Sequence, residues 1–304
     1  MMKMRNYVHT ITYMAVCLFV LSACGSEDAL EADFRNPSDF FMPAGDDQSE
    51  EAQLRRQFFN ETGCYLLFND TIQKEYLGTD INGAPVYSIE TVDLTYSVGM
   101  SAYISTHYSY SYLSTWEQRR QVVSFLSDFV LPHLTGALKP YSWFVCNQIN
   151  SWTNENQNIT HPFAALNQRC IAISGNYIIQ QQRTDAQKQN YAQRILNVII
   201  GQLATNKSEA FAEFYTFSAD YYNRDYSAMG YVSKPGTADL YALGFLSSTG
   251  FSNFPSATVD LSSYALLVVQ YDENQLATMY GSYPLILQKA AIVRSVLIDL
   301  GYVF

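Results

Sequence analysis

Polar and apolar residues alternate along much of the first half of the chain, a pattern typical of half-buried β-strands. The alternation is clearest in TVDLTYSV and SAYISTHYSYSYL, whereas CYLLFND, YSWFVCNQI and RCIAISG are short apolar runs of the kind found in buried strands. The polar stretch NSWTNENQNITHP is predicted to be a loop. The predicted strands are residues 64–70, 91–98, 101–113, 141–149 and 169–175.

The second half of the chain has apolar residues at helical spacing instead. Tyr191, Ile195, Val198, Ile199 and Leu203 form one stripe, which predicts an amphipathic helix from residue 185 to 203. Glycine and proline are concentrated in residues 227–256, which are predicted to be loop with short turns. The other predicted helices are residues 50–59, 116–132, 208–222, 260–271 and 283–300.

The order of these elements predicts the fold class. A strand-rich N-terminal half is followed by a helix-rich C-terminal half, so strands and helices do not alternate as they would in a parallel α/β fold. Hydrophobic residues make up 48% of the sequence, which is ample for a core. We therefore expect an α+β fold, with one compact domain over residues 50–304.

The N-terminus has the features of a bacterial lipoprotein signal. Lys3 and Arg5 precede an apolar run that is too short to span a membrane. The run ends in Leu-Ser-Ala-Cys24, which resembles the lipobox, in which the chain is cut before the cysteine and its thiol is lipidated. We expect a signal peptide over residues 1–23 and an anchor in outer-membrane lipid at Cys24. The alternative is an ordinary signal peptide in which Cys24 is incidental.

Residues 24–49 are acidic and contain few aliphatic side chains, which predicts a flexible tether. Acidic residues directly after a lipidated cysteine resemble the export signal of surface lipoproteins in Bacteroidetes-type bacteria. That resemblance implies an outer-membrane lipoprotein that faces the cell exterior. The alternative is a solvated linker on a periplasmic protein.

Net charge excludes one class of partner. The chain has 18 basic and 28 acidic residues, a net charge of −10, and removing Lys3 and Arg5 with the signal peptide gives −10 − 2 = −12. A chain this acidic is repelled by nucleic acid, so we expect no nucleic-acid partner.

Three cysteines remain after Cys17 leaves with the signal peptide and Cys24 takes the lipid. Cys146 and Cys170 lie in predicted strands and could form a disulfide that leaves Cys64 free; alternatively, all three are buried thiols. The chain has no Cys-x-x-Cys spacing, so a zinc site built from thiolates is not indicated.

Four segments of the chain are similar in pattern to the zinc-binding metallopeptidase-like lipoproteins of Bacteroidetes, a gluzincin-like family. They are QFFNETGCYLLFND, the helix around Val198, GFLSSTGFSNFPSATVDLSSYALLVVQY and YPLILQKAAIVRSVLIDLGY. The resemblance implies a metallopeptidase-like domain. It also implies a zinc site, in which a helical His-Glu-x-x-His holds the metal and activates water.

The register that the resemblance implies leaves this zinc site without ligands. Gly201, Gln202 and Thr205 occupy the positions of the first His, the Glu and the second His. At the later acidic segment, Tyr264 and Ala265 retain the aromatic residue and the alanine. The carboxylate positions there are taken by Ser262, Ser263 and Leu266. We expect no metal, no cofactor and no catalytic residue. A divergent peptidase site built from His107, His133 or His161 is the alternative.

Aromatic residues supply the candidates for binding. Tyr108, Tyr110 and Tyr112 alternate with serine, so that on a strand all three rings point to one face. They could stack on sugar rings or peptide, or they could instead cover the sheet. Trp143, before the polar stretch, and Trp152, within it, are further candidates.

These observations predict a surface-anchored lipoprotein whose degenerate, zinc-free metallopeptidase-like domain serves as a binding or accessory component. The family resemblance implies a setting beside the machinery for uptake of glycans or other nutrients, and a glycan or peptide is the expected ligand. Two other functions remain open, a divergent active metallopeptidase and a structural or adhesive surface protein.

Overall fold

The computed structural model of the protein describes residues 38–94, 106–167, 169–180, 182–247 and 252–304, with the side chains of residues 38, 39 and 205 not described. A compact unit begins at Phe40 and runs to the C-terminus. The expected signal peptide, the lipidation residue Cys24 and most of the expected tether lie outside the described residues.

The described strands all precede residue 175, whereas helices occur in both halves, so the predicted α+β fold is confirmed. The strands are β1 (Tyr65–Leu67), β2 (Thr71–Thr79), β3 (Pro85–Thr91), β4 (Thr106–Ser111), β5 (Ser142–Cys146), β6 (Gln148–Thr153), β7 (Ala164–Leu166) and β8 (Cys170–Ser174). The α-helices are α1 (Ser38–Phe41), α2 (Glu50–Thr62), α3 (Trp116–Phe125), α4 (Asn176–Ile179), α5 (Asp185–Asn206), α6 (Ala212–Thr216), α7 (Thr237–Ala242), α8 (Ala257–Gln270), α9 (Glu273–Tyr280) and α10 (Pro284–Leu300).

A four-stranded sheet in the order β1-β5-β8-β7 forms the centre of the unit. Strands β1, β5 and β8 are parallel, and β7 is antiparallel to β8. Side chains alternate between the two faces of a strand. Trp143 and Val145 on β5 therefore join the apolar cluster beneath α3, α5, α8 and α10, whereas Phe144 joins a second cluster on the opposite face. The sheet is buried on both faces, which explains the continuous apolar runs of its strands.

Two pairs of antiparallel strands accompany this sheet, β4 with β6 and β2 with β3. The predicted strand 141–149 is in fact two strands, β5 and β6, separated by Asn147. The polar stretch predicted as a loop begins within β6, because its hydrogen-bonding partner β4 holds it extended. The hairpin of β2 and β3 was not predicted, and only Thr91 of the predicted strand 91–98 lies in a described strand.

The helix boundaries follow from local capping. Helix α3 begins at a capping box, in which Thr115 and Gln118 satisfy each other's backbone N–H groups. It continues through a π-helical turn at Leu126–Val130 into a short 3₁₀ turn that contains Pro132. Helix α2 extends three residues beyond its predicted end, and Gly63 ends it in the left-handed conformation with φ of +70°.

The compact unit extends further toward the N-terminus than the predicted domain start at residue 50. Phe41 is fully buried, and its ring lies 5.6 Å from Tyr65 and 5.1 Å from Tyr141. The Arg55 guanidinium donates a hydrogen bond of 2.7 Å to the carbonyl of Phe41. The end of the acidic segment is therefore attached to the domain at this phenylalanine.

The part of the chain after the last described strand, residues 176–304, is called the helical half, and it encloses a buried ion pair. Asp260 on α8 and Lys289 on α10 have almost no exposure to solvent, and Lys289 Nζ lies 2.6 Å from Asp260 Oδ2. Helix α8 also packs against α5, and Gln193 donates a hydrogen bond of 3.0 Å to the carbonyl of Val269 between them. In the described ranges, no helix has both the length and the apolar character that crossing a bilayer would require.

Replacing Asp260 with Ala should lower the free energy of unfolding by about 3–5 kcal/mol, because the buried Lys289 would lose its anionic partner. Chemical denaturation followed by circular dichroism measures this change. The double variant Asp260→Leu/Lys289→Met is the matched control. It removes both charges and should be more stable than Asp260→Ala, because it leaves no unpaired charge in the interior. A loss of less than about 1 kcal/mol in Asp260→Ala would contradict the assignment, since that is the range of exposed pairs.

Candidate functional site

The antiparallel ribbon of β4 and β6 contains most of the predicted binding residues. Its register pairs His107 with Trp152, Ser109 with Asn150 and Ser111 with Gln148. Directly paired residues of antiparallel strands point to the same face, and neighbours along a strand point to opposite faces. The ribbon therefore has one face toward the sheet and one face away from it.

Tyrosine rings form the side of the ribbon that covers the sheet. Tyr108 and Tyr110 are half-buried against the apolar cluster around Phe144, and the rings of Tyr110 and Phe144 meet edge to face at 4.8 Å. Burial raises the pKa of both tyrosine hydroxyls. The predicted binding row is therefore corrected for these two residues, because their rings are part of the core covering, as the alternative held.

Tyr112 lies just beyond β4 and is 46% exposed. Its hydroxyl donates a hydrogen bond of 2.7 Å to Asp70 Oδ1, and partial burial together with this carboxylate raises the pKa of Tyr112 to about 12. The Tyr112 hydroxyl thus links the end of β4 to the start of the β2–β3 hairpin.

Trp143 is not a binding residue. It is 0% exposed at the centre of β5, where it packs in the apolar cluster beneath the helices. Strand β5 has a parallel strand on each side, so a large apolar side chain on it is enclosed between the sheet and the helices. The sequence alone did not distinguish this position from one beside a loop. This candidate is therefore withdrawn.

The side of the ribbon that points away from the sheet is uncharged. It consists of two serines, two amides, one imidazole and one indole, and we call it the ribbon face. Its residues are His107, Ser109, Ser111, Gln148, Asn150 and Trp152. Of these, the binding prediction included only Trp152. The alternation in HYSYSYL indicates this face, since a strand that directs the tyrosines to one side directs His107 and the serines to the other.

Hydrogen bonds among side chains hold the ribbon face in one arrangement. Asn150 Nδ2 donates to Ser109 Oγ at 3.3 Å, and Gln148 Nε2 donates to Asn150 Oδ1 at 3.2 Å. Gln148 Nε2 also lies 2.6 Å from Nδ1 of His161, which is therefore the acceptor. Both donor hydrogens of Gln148 are therefore used, and its oxygen also accepts from Asn176. An amide has two donor hydrogens and two lone pairs, so Asn150 keeps one hydrogen and one lone pair for a ligand, and Gln148 keeps one lone pair.

An aromatic pair forms one end of the ribbon face. The rings of His107 and Trp152 stack with their centroids 5.6 Å apart and their planes at 25°. His107 Nε2 lies 2.6 Å from Asn154 Oδ1, which fixes the orientation of the imidazole. The face thus offers a flat ring next to a ladder of neutral donors and acceptors. This combination fits the alternating apolar faces and hydroxyl edges of a sugar.

The positions where the family resemblance implies zinc ligands lie on α5. Gln202 is exposed, and its Nε2 donates to Asn206 Oδ1 at 2.9 Å. A Cβ built on Gly201 would meet no atom within 4 Å, so close packing does not require a glycine there. The side chain of Thr205 lies outside the described part of the chain. Neither of the two described positions carries a metal-ligating side chain.

The three histidines that the structure describes, His107, His133 and His161, occupy two regions. His107 and His161 are on or beside the ribbon face, hydrogen-bonded to amides. His133 stacks on Tyr302, and its Nδ1 donates to the carbonyl of Val303 at 2.7 Å. Among the residues that the structure describes, no three His, Cys, Asp or Glu side chains are grouped so that they could hold a metal ion.

The cysteines are buried thiols. Strands β5 and β8 pair Cys146 with Ser174 and Ser142 with Cys170, so the two cysteines lie at opposite ends of the pair. Four residues of strand separate them by roughly 13 Å, too far for a disulfide. Burial raises the pKa of Cys170 to about 12 and that of Cys64 above its ordinary value, which disfavours a nucleophilic thiolate.

The chain matches no protein-family model, no curated protein and no solved structure. Arguments about function therefore rest on the residues and their geometry.

Thiol labelling tests the assignment of the cysteines. In a chain that begins after Cys24, the folded protein should react slowly with a thiol reagent at neutral pH, because all three thiols are buried. After unfolding without reductant, three thiols per chain should react. Recovery of only one thiol would show that a disulfide had formed.

Proposed function

We propose that this protein is a surface-anchored lipoprotein that binds a neutral glycan on the ribbon face, a non-catalytic relative of zinc metallopeptidases. The observation that carries the proposal is the composition of that face. Its six outward side chains are all uncharged, and they combine hydrogen-bonding groups with stacked rings. It occurs in a chain with a net charge of −10.

The chemistry of the face favours a sugar over a peptide. Sugar hydroxyls both donate and accept hydrogen bonds, as do the serines and amides of the ribbon face. Burying a charged group without a partner is costly, so a face with no formal charge selects ligands with no charge at the point of contact. A peptide would instead need an apolar pocket for its side chains or an exposed strand edge for its backbone. Strand β6 of the ribbon is paired with β4 along one edge, and on its other edge Ser151 forms a bridge with Thr160.

The proposed anchor has a separate basis, the lipobox at Cys24 and the acidic segment that follows it. An acidic tether would hold the domain away from the membrane surface, because anionic headgroups repel it. A receptor held in this way would capture soluble oligosaccharides beside the cell and act as an accessory to their uptake. The two described zinc-site positions on α5, Gly201 and Gln202, fit a domain that binds without catalysis.

Replacing Trp152 with Ala should weaken binding of a neutral oligosaccharide by about tenfold or more, as expected when an aromatic contact of about 1.4 kcal/mol is lost. A panel of neutral and acidic oligosaccharides first identifies the ligand, and isothermal titration then compares the variants. Asn150→Ala should also weaken binding, because it removes the amide at the centre of the face.

Tyr76→Ala is the matched control, since Tyr76 is an exposed ring on the β2–β3 hairpin, outside the ribbon face. It should bind like the unaltered protein. Equal affinity of the Trp152→Ala variant would reject the face as the binding site. Failure of every neutral glycan to bind would reject the ligand class, and stoichiometric zinc with peptidase activity would reject the non-catalytic assignment.

The anchor is tested by the Cys24→Ser variant, which removes the thiol that would carry the lipid. In a bacterium that processes lipoproteins, the unaltered protein should fractionate with the outer membrane and be cleaved by protease added to intact cells. The variant should leave the membrane fraction. Membrane association that survives the substitution would contradict lipidation at Cys24, and protection from protease would place the domain in the periplasm.

A further inference from the structure

The ammonium group of Lys289 lies in a closed, largely aromatic chamber of the helical half. Its Nζ donates hydrogen bonds to Ser218 Oγ at 3.0 Å, the carbonyl of Gly244 at 2.8 Å and Asp260 Oδ2 at 2.6 Å. Lys289, Ser218 and Asp260 are each at most 2% exposed. The rings around Nζ are those of Phe214, Tyr264, Phe245 and Tyr222, with centroids at 4.5, 4.9, 5.2 and 6.0 Å.

This chamber favours the uncharged forms of both partners. Burial lowers the pKa of Lys289 and raises the pKa of Asp260, each against the opposing effect of the other's charge. Moving one proton from Nζ to the carboxylate converts the ion pair into an amine and a carboxylic acid. No proton has to enter from solvent, and the amine that results is a nucleophile next to an acyl carbon.

The hydrogen bonds at Asp260 Oδ2 give the proton released from nitrogen a direct path to the leaving oxygen. Lys289 Nζ lies 2.6 Å from Oδ2, so a proton can pass between them without an intermediate group. The Tyr222 hydroxyl donates to the same oxygen at 2.8 Å and stabilises the charge that develops on it as the Cγ–Oδ2 bond breaks. Ser218 does not relay the proton, because its hydroxyl donates to the carbonyl of Leu243 at 3.1 Å.

We propose that Lys289 and Asp260 condense to an intramolecular amide that links α10 covalently to α8. The lone pair of the neutral Nζ attacks Asp260 Cγ, and one proton of Nζ passes directly to the protonated Oδ2. The Cγ–Oδ2 bond then breaks, Oδ2 leaves as water, and the new Nζ–Cγ bond becomes an amide. One water is lost per chain, and no atom is oxidised or reduced.

Two physical effects drive a reaction that is slow between free groups in water. The fold holds the amine and the acid in contact, which replaces an encounter in solution by a step within one molecule. The surrounding rings exclude the water that would favour hydrolysis of the product. The amide also removes two charges from an apolar interior, where the desolvation of an ion pair is costly.

Mass spectrometry of the purified full domain, denatured before measurement, tests the proposal. The intact mass should be lower than the sequence mass by one water. Cleavage at methionine cuts the chain after Met229 and Met279, which separates Asp260 in fragment 230–279 from Lys289 in fragment 280–304. In the unaltered protein these two fragments should remain joined and have their summed mass less one water.

Two variants identify the bond and its chemistry. Lys289→Met lacks the nucleophile and should have its full sequence mass, with the two fragments separate. Tyr222→Phe keeps the ring but lacks the hydroxyl that donates a hydrogen bond to the leaving oxygen, so most of its chains should have full mass. This variant keeps the test valid if Lys289→Met fails to fold. A folded, unaltered protein with full mass and separate fragments would overturn the proposal.

Discussion

The helical half of this protein is arranged around one nitrogen, Nζ of Lys289, that has no access to water. As the chain folds, before the proposed amide forms, this nitrogen is an ammonium group, which the interior tolerates only when its three hydrogens have acceptors and an anion lies close by. The acceptors of Lys289 come from three separate segments, since Ser218 follows α6, Gly244 follows α7 and Asp260 lies on α8. Satisfying Nζ therefore fixes the positions of all three segments relative to α10.

The same requirement explains the local backbone at Gly244. Its carbonyl accepts hydrogen bonds from both Lys289 Nζ and the Tyr264 hydroxyl. Its φ is +77°, and a Cβ at this position would come within 3.1 Å of Leu285 and Lys289. Glycine is needed there because the left-handed backbone and the close approach of α10 leave no room for a side chain. The turn at Gly244 and the buried hydrogen bonds that its carbonyl accepts thus depend on each other.

In the ribbon of β4 and β6, alternate positions along each strand have different roles, and this alternation creates the ribbon face. Tyr108 and Tyr110 cover the apolar cluster with their rings, which is what large amphipathic side chains do at the edge of a core. The intervening positions then need neither size nor hydrophobicity. Small and amide side chains occupy them, where they bond to each other and leave capacity for an outside partner.

The sequence was sufficient for the fold class and for elements with strong local signals. Helices α3 and α5 begin at the predicted residues 116 and 185, because the caps at Thr115 and Thr184 depend only on neighbouring residues. The ribbon face depends on a pairing between residues about forty positions apart, and the contact of Asp260 with Lys289 depends on helix packing. Neither can be deduced from periodicity, which is why Trp143 was named as a binding candidate and Asp260 was not singled out.

The negative charge of the chain also limits which ligands the ribbon face would bind. The acidic residues of the chain make its surroundings negative, so sulfated or uronic glycans are repelled before they reach the face. The face itself has no cation to compensate an anion, and within the ribbon the imidazole of His107 is already hydrogen-bonded to Asn154. A neutral sugar experiences neither the repulsion nor the desolvation cost of an unpaired charge. Selectivity for neutral glycans thus follows from the whole chain as well as from the six residues that would touch the ligand.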